Sequence, residues 1–185
     1  MEERPGIVVL RNVEENDFSL YYAMYASPEV MRYTLIDACK SPEAYEPYFT
    51  RTLEDIRKPD RLLYEYTASL PNGEPVGMGN LKLLSTDPGN AEIGYMLLPP
   101  YWGKGYGTEI ARRLIRIGFA ELGLRKVTAC CNANNLASEA VMKKCGMRRE
   151  VVFKCVRYKD GKWQDELRYA VTYEEWKGTP YGNAN

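Results

Sequence analysis

Apolar positions along the chain change period several times, and the changes mark out the elements. GIVVLRNV, near Gly6, is an apolar run that reads as an opening strand. NDFSLYYAMYAS follows as a helix capped near Asn16 or Asp17. SPEVMRY and SPEAYEPYFTRTLEDIRK each open with Ser-Pro, a cap with proline in the first turn. Pro47 is expected to interrupt the second of these. LLYEYTASL and EPVGMGNLKLLS read as strands joined by the turn PNG at Pro71. After the DPGN turn, AEIGYMLL is another strand, ended by Pro99 and Pro100.

The period then lengthens. From Thr108 to Leu122, Ala111, Leu114, Ile115, Gly118 and Leu122 fall on one helical face, with Glu109, Arg112, Arg113 and Arg116 elsewhere. LGLRKVTACCN turns into a strand that reads as buried. NNLASEAVMKKCGM is a short helix with Gly146 at its C-terminal cap. REVVFKCVRYKDGKWQDELRYAVTY is two long strands joined through Asp160-Gly161. Strands first, then β-α-β-α, then a hairpin predict a mixed sheet with helices packed on it, an α+β fold. No linker divides residues 1–185, so one domain is expected.

Composition narrows the chemistry. Twenty-five basic and 25 acidic residues cancel, so no global field draws the chain to nucleic acid or anionic membrane. The opening MEERPGIVVLRNVEEND lacks the order of a signal peptide, and no apolar stretch is long enough to span a bilayer. A cytoplasmic protein is expected. Five cysteines without paired metal spacing suggest free, mostly buried thiols. There is no histidine, which removes Ser-His-Asp and Cys-His catalysis and every histidine-ligated metal site. No metal is expected.

The informative stretch is WGKGYGTEIARRL from Trp102. A strand, a glycine-rich turn and a helix point unpaired N–H groups and a positive helix end at an anion. A compact connection is the plain alternative. The Walker A order is missing, and Gly103, Gly105 and Gly107 alternate without the spacing of the dinucleotide fingerprint.

NLASEAVMKKCGM from Asn135 resembles the NxxSxxxxxKxGF segment of the GNAT acetyltransferases, the acetyl-CoA-dependent N-acetyltransferase superfamily. The loop is similar to their [Q/R]-x-x-G-x-G/A motif at Gly105 and Gly107, with Trp102 in place of the usual polar residue. EIGYML before it, DGKWQDELRYAV after it and Glu175-Trp176 resemble the RimJ/RimL-type subgroup. The resemblance covers roughly Val76 to Trp176. It implies a central, mostly antiparallel sheet flanked by helices, with strands splayed at the coenzyme A site.

The resemblance also assigns roles. Amides from Gly103 through Lys104, Gly105, Tyr106 and Gly107 to Thr108 would hold the coenzyme A pyrophosphate, Gly105 and Gly107 allowing an approach that a side chain would block. Lys104 either contacts a phosphate or is only solvated. Met96 and Leu97 occupy the strand positions whose main chain pairs with the pantetheine arm and thioester. Trp102 is expected to pack rather than touch ligand. Asn135 corresponds to the asparagine that bonds the pantetheine arm, with an N-cap as its alternative; Lys144 reads as a surface residue.

Acetyl transfer needs a neutral amine and a proton for the departing thiolate. Many members donate that proton from a tyrosine seven residues after the asparagine, where this chain has Met142. Ser138 is the candidate acid, with helix-start hydrogen bonding as its rival role. Glu92, on the strand leading to the loop, is the candidate base, directly or through water. The acceptor groove is expected from the N-terminal helices and the final hairpin, and the tyrosines Tyr22, Tyr25, Tyr33, Tyr45 and Tyr48 are expected mainly to pack. The expected partner is a primary amine, on a small molecule or a protein N-terminus; a homodimer is compatible with this. A catalytically silent coenzyme A sensor or scaffold is the alternative.

Overall fold

The computed structural model describes residues 8–84 and 89–182. One seven-stranded sheet organises them, in the order β1-β2-β3-β4-β5-β7-β6. The strands are β1 (Val9–Asn12), β2 (Leu63–Ser69), β3 (Pro75–Leu83), β4 (Asn90–Leu97), β5 (Lys126–Asn132), β6 (Arg148–Lys159) and β7 (Lys162–Thr172). Every neighbouring pair is antiparallel except β4 and β5. Gly6 and Ile7 of the expected opening strand and Asp87-Pro88 of the expected turn lie outside the described residues.

The helices are α1 (Phe18–Tyr25), α2 (Pro28–Met31), α3 (Pro42–Arg57), α4 (Tyr106–Arg116), α5 (Leu136–Lys144) and α6 (Tyr173–Lys177). The Ser-Pro signals act as read: Ser27 accepts from the Val30 amide and Ser41 from the Ala44 amide. Two expectations are corrected. Pro47 does not interrupt α3, which runs on to Arg57; Tyr45, Phe49 and Leu53 bury one face of the helix on both sides of the proline, which offsets the one hydrogen bond it removes. Asp17 does not cap α1 with its side chain. Its carboxylate instead takes both Arg11 guanidinium nitrogens, the Thr67 hydroxyl and the Glu14 amide.

Two apolar layers clamp the sheet. On one face Ile110, Ala111, Leu114 and Ile115 of α4 bury against Leu81, Ala91, Ile93 and Val127. On the other, Tyr21, Met24, Tyr45, Phe49 and Leu53 from α1 and α3 cover Met78, with Tyr22, Tyr25 and Met96 at the margin. The tyrosine-rich N-terminal segment is therefore largely packing, with stacked contacts such as Tyr25 on Tyr45 at 4.8 Å. Tyr48 is exposed.

Local chemistry finishes the elements that carry the site. α4 begins at Gly105, whose φ of 85° lies in the left-handed region, and it continues through a π-turn at Ile117–Glu121. α5 ends at Gly146 (φ 78°) with Met147 N–H on Met142 O and Gly146 N–H on Lys143 O, a Schellman closure. Asp160 and Gly161 both take positive φ, the turn that joins β6 to β7.

Candidate active site

β4 and β5 pair only over Asn90–Glu92 and Lys126–Thr128. Beyond that point each runs on, to Leu97 and Asn132, with no strand between them. Parallel strands that part in this way leave an unpaired main-chain edge. Which residues offer it follows from alternation. The Leu98 amide bonds Val76 O and the Asn90 carbonyl accepts from Leu84, so the even-numbered residues face β3, whereas the Ala91 carbonyl faces β5 and takes the Thr128 hydroxyl. Tyr95 and Leu97 accordingly turn their main chain to the gap. Met96, expected to do so, turns its main chain to Met78 of β3 and gives the site only its side chain.

The gap opens into two cavities. The first, of ≈ 450 Å³, is floored by Gly103, Gly105, Tyr106, Gly107 and Thr108 at the start of α4 and walled by α5. The first intrahelical bond runs from the Glu109 amide to Gly105 O, so the amides before it point out of the helix end. Gly107 is buried, and a Cβ there would meet Leu97 and Val141 at 3.6 Å, an ordinary contact. Close packing of α4 against β4 and α5 therefore accounts for part of its smallness, while Gly105 is required by its backbone angle.

Trp102 and Lys144 depart from simple expectation, and Lys104 takes one of its two weighed positions. Trp102 is not packed away: it is 41% exposed, lines the cavity and donates its indole N–H to Leu97 O at 2.8 Å. That bond occupies the Leu97 carbonyl and leaves the Tyr95 main chain and the Leu97 amide on the gap side. Lys104 stands outside the cavity lining with its ammonium 5.8 Å from the Tyr101 ring. Lys144, read from sequence as a surface residue, is exposed yet lines the cavity, as does Arg32.

The second cavity, of ≈ 350 Å³, is lined by the loop that follows α2 and by β4 and β5 where they part. Tyr95, Asn135 and Ser138 line both cavities and mark where they meet. The Tyr95 hydroxyl is 3.0 Å from Ser138 Oγ and donates to Ser138 O at 3.2 Å. Burial holds the Tyr95 phenol well above the ordinary tyrosine range, against the pull of Ser138, so it keeps its proton throughout the neutral range. Asn135 caps α5 through Oδ1 on the Ser138 amide at 3.1 Å. The cap leaves its amide nitrogen available, so both roles weighed for it remain compatible. Met142 is fully buried and is core.

Glu92 sits at the last paired position of β4, opposite Thr128, and lines neither cavity. Its carboxylate accepts from Cys130 Sγ at 3.5 Å, and Cys130, which does line the second cavity, accepts from Arg168 Nε at 3.4 Å. Glu92 thus stands one side chain behind the cavity wall. Burial, with the Glu92 charge adding, pushes the Cys130 thiol up to about 12; burial pushes Cys131 to about 11 and Cys145 to about 12. Protonated thiols are poor nucleophiles. Among the described residues no cluster of acidic or cysteine side chains could hold a metal ion, and no helix is long and apolar enough to cross a membrane.

The model of the acetyltransferase (GNAT) domain family matches residues 8–148, more than half of the chain. The chain belongs to the GNAT acetyltransferase family. An uncharacterized N-acetyltransferase of Bacillus subtilis, YnaD, is 45% identical over 85 residues, 46% of this chain and 50% of YnaD, so the match spans about half of that relative's length. Another from the same organism, YoaA, is 25% identical over 164 residues, 89% of this chain and 92% of YoaA. Among solved structures, spermidine N-acetyltransferase from Vibrio cholerae, in complex with CoA and spermine, superposes with a TM-score of 0.82 at 18% identity, covering 91% of this chain and 97% of that one. At that identity the likeness shows the GNAT fold alone.

The residues missed in the sequence share one property. Tyr95 sits in a strand that reads as plain alternation, and Arg157 in a hairpin that reads as plain surface. Their meaning comes from partners 43 and 9 residues away. Only the EIGYML resemblance touches Tyr95.

Proposed function

We propose that the chain is an acetyl-CoA-dependent N-acetyltransferase in which a primary amine attacks the thioester directly. The observation that carries this is the meeting of the two cavities at Tyr95 and Ser138, on the unpaired edge of β4. One cavity ends on outward-pointing helix amides suited to a pyrophosphate, and the other gives an amine room beside the loop that follows α2. Acetyl-CoA supplies an activated acyl group and a thiolate leaving group.

In this reading Gly103–Thr108 hold the phosphates through main chain, with Lys144 and Arg32 on the cavity wall and Lys104 outside it. The Tyr95 and Leu97 edge orients the pantetheine arm, and the Asn135 amide nitrogen steadies it. The N–C bond forms as the C–S bond breaks. The departing sulfur takes its proton from Ser138, which draws on the Tyr95 hydroxyl. The attacking amine gives its proton to Glu92 through water, since Glu92 lies behind Cys130. Cys130, Cys131 and Cys145, held protonated by burial, are poorly suited to carry an acyl intermediate. The alternative of a silent sensor loses its main support, because Tyr95 and Ser138 supply hydroxyls where Met142 cannot.

The test is transfer of label. Purified protein with acetyl-CoA labelled in the acetyl group and a panel of primary amines should give a labelled amide by mass spectrometry, with one free CoA per amide. Acetyl-CoA binding by calorimetry without labelled amide from any amine would favour the sensor.

A further inference from the structure

We infer that the acceptor is a primary amine borne on an apolar body, seated against Leu35 and Ile36, and not a polyamine. The inference rests on the acetyltransferase reading and concerns the second cavity alone.

The first observation is charge. Of the described side chains lining that cavity, Arg157 is the single charged one, and it is a cation. It is paired with Glu166, the two being 13% and 16% exposed. Glu92 is set behind Cys130 and feels Arg168, and Asp37, next to Ile36 and 90% exposed, is paired with the Lys159 ammonium. A polyamine brings further ammonium groups beyond the reacting one, and each buried cation needs a carboxylate or comparable partner. Here the further cations would meet an arginine and a wall of neutral side chains, Tyr33, Thr34, Leu35, Ile36 and Asn132 among them. The Vibrio cholerae spermidine enzyme shares the fold, and this cavity does not share the chemistry that a polyamine demands.

The second observation is the wall. Leu35 and Ile36 line the cavity and are 58% and 57% exposed, so they leave an apolar face open where the acceptor enters. That face is held from a distance. The Lys159 ammonium, at the tip of the β6–β7 hairpin, donates to Met31 O at 2.9 Å, Thr34 O at 3.1 Å and Ile36 O at 2.9 Å. Its side chain is 11% exposed; its donors bond the main chain of this one loop, and the Asp37 carboxylate of the same loop lies 3.8 Å away. The Thr34 hydroxyl, bonded to Met31 O and Ile36 O, closes the loop on itself. A lysine buried to fix a loop that displays two exposed aliphatic side chains makes sense if those side chains have a ligand to cover. Lys159 is therefore a positioning residue for acceptor choice.

The experiment compares phenethylamine with spermidine as acceptors in steady-state assays with saturating acetyl-CoA. Phenethylamine should exceed spermidine in kcat/KM by at least about ten-fold, the discrimination that apolar contacts commonly give. Ile36→Glu, at an exposed position, should narrow or reverse that ratio by giving a second ammonium its partner. Lys159→Met should raise KM for phenethylamine by about ten-fold or more, leave acetyl-CoA affinity by calorimetry unchanged, and be partly rescued by Lys159→Arg. Spermidine equal to or better than phenethylamine overturns the inference. So does failure of both amines in a protein that binds acetyl-CoA, which leaves the family reading standing; failure to bind acetyl-CoA removes that reading itself.

Discussion

The Tyr95 hydroxyl and Ser138 Oγ lie 3.0 Å apart, one on β4 and one on α5, where the two cavities join. In the proposed mechanism the pair supplies the proton to the leaving thiolate, a route that neither residue defines alone. Ser138 is fixed by its amide on Asn135 Oδ1. Tyr95 is fixed by burial, which also keeps it protonated.

Ser138→Ala should lower kcat by about a hundred-fold or more while acetyl-CoA affinity stays within a few-fold, the range of a positioned general acid. Tyr95→Phe keeps the ring and removes the hydroxyl, so its loss should be smaller, and the double variant should lose less than the two combined. Because burial raises Tyr95, kcat should show no alkaline fall near the ordinary tyrosine pKa. Full additivity, or a fall near that pH, would separate the pair.

For the loop, Gly107→Val should weaken acetyl-CoA binding by about ten-fold or more with a smaller effect on melting. Its Cβ has ordinary contacts at 3.6 Å, but the added methyls must enter the cavity or press on Leu97 and Val141. Gly105→Ala should cost both binding and stability, since φ 85° is unfavourable for any side chain. Thermal melts beside calorimetry read the two apart. Undiminished affinity in folded Gly107→Val removes the phosphate role from this helix end.

Glu92→Gln should reduce turnover near neutrality and recover part of it at alkaline pH, where more acceptor amine is already neutral. A loss below a few-fold, with the pH profile unmoved, assigns Glu92 to the Cys130–Arg168 cluster only.

Buried Glu65 gives a stability prediction apart from the site. It lies opposite Asn80 on the sheet, near Tyr21, Tyr25 and Tyr45. Desolvation pushes its carboxyl up to about 8, against hydrogen bonding from Asn80. The native state then binds a proton that the unfolded chain releases above its ordinary pKa. This contribution is fully present below about 4.5 and is lost as pH rises towards 8, with a slope of up to about 1.4 kcal/mol per unit. Urea melts of wild type and Glu65→Gln across that window should show a steeper fall for wild type. Parallel curves would contradict the assignment.

What the sequence made legible was what short-range chemistry decides. Ser27, Ser41, Gly146 and the Asp160-Gly161 turn act within a few residues, and each does what its local pattern indicates. The glycine loop was legible for the same reason. Pro47 misled because tertiary burial of Tyr45, Phe49 and Leu53 on either side of it, invisible to local propensity, holds the helix together. Trp102 misled because bulk suggests burial, whereas its N–H is committed to Leu97 O. Lys159 could not be read at all. Its three acceptors lie 123 to 128 residues earlier, and nothing around it distinguishes a loop clamp from a solvated lysine.

Direct transfer requires both substrates in place together, one from each cavity. Initial rates with acetyl-CoA and an accepted amine both varied, read beside the intact mass of the protein incubated with acetyl-CoA alone, test this most directly. The account predicts intersecting double-reciprocal lines and an unmodified protein mass. Parallel lines with an acetylated protein would contradict it, because they would place an acyl-enzyme, carried by a cysteine or serine, between the two substrates.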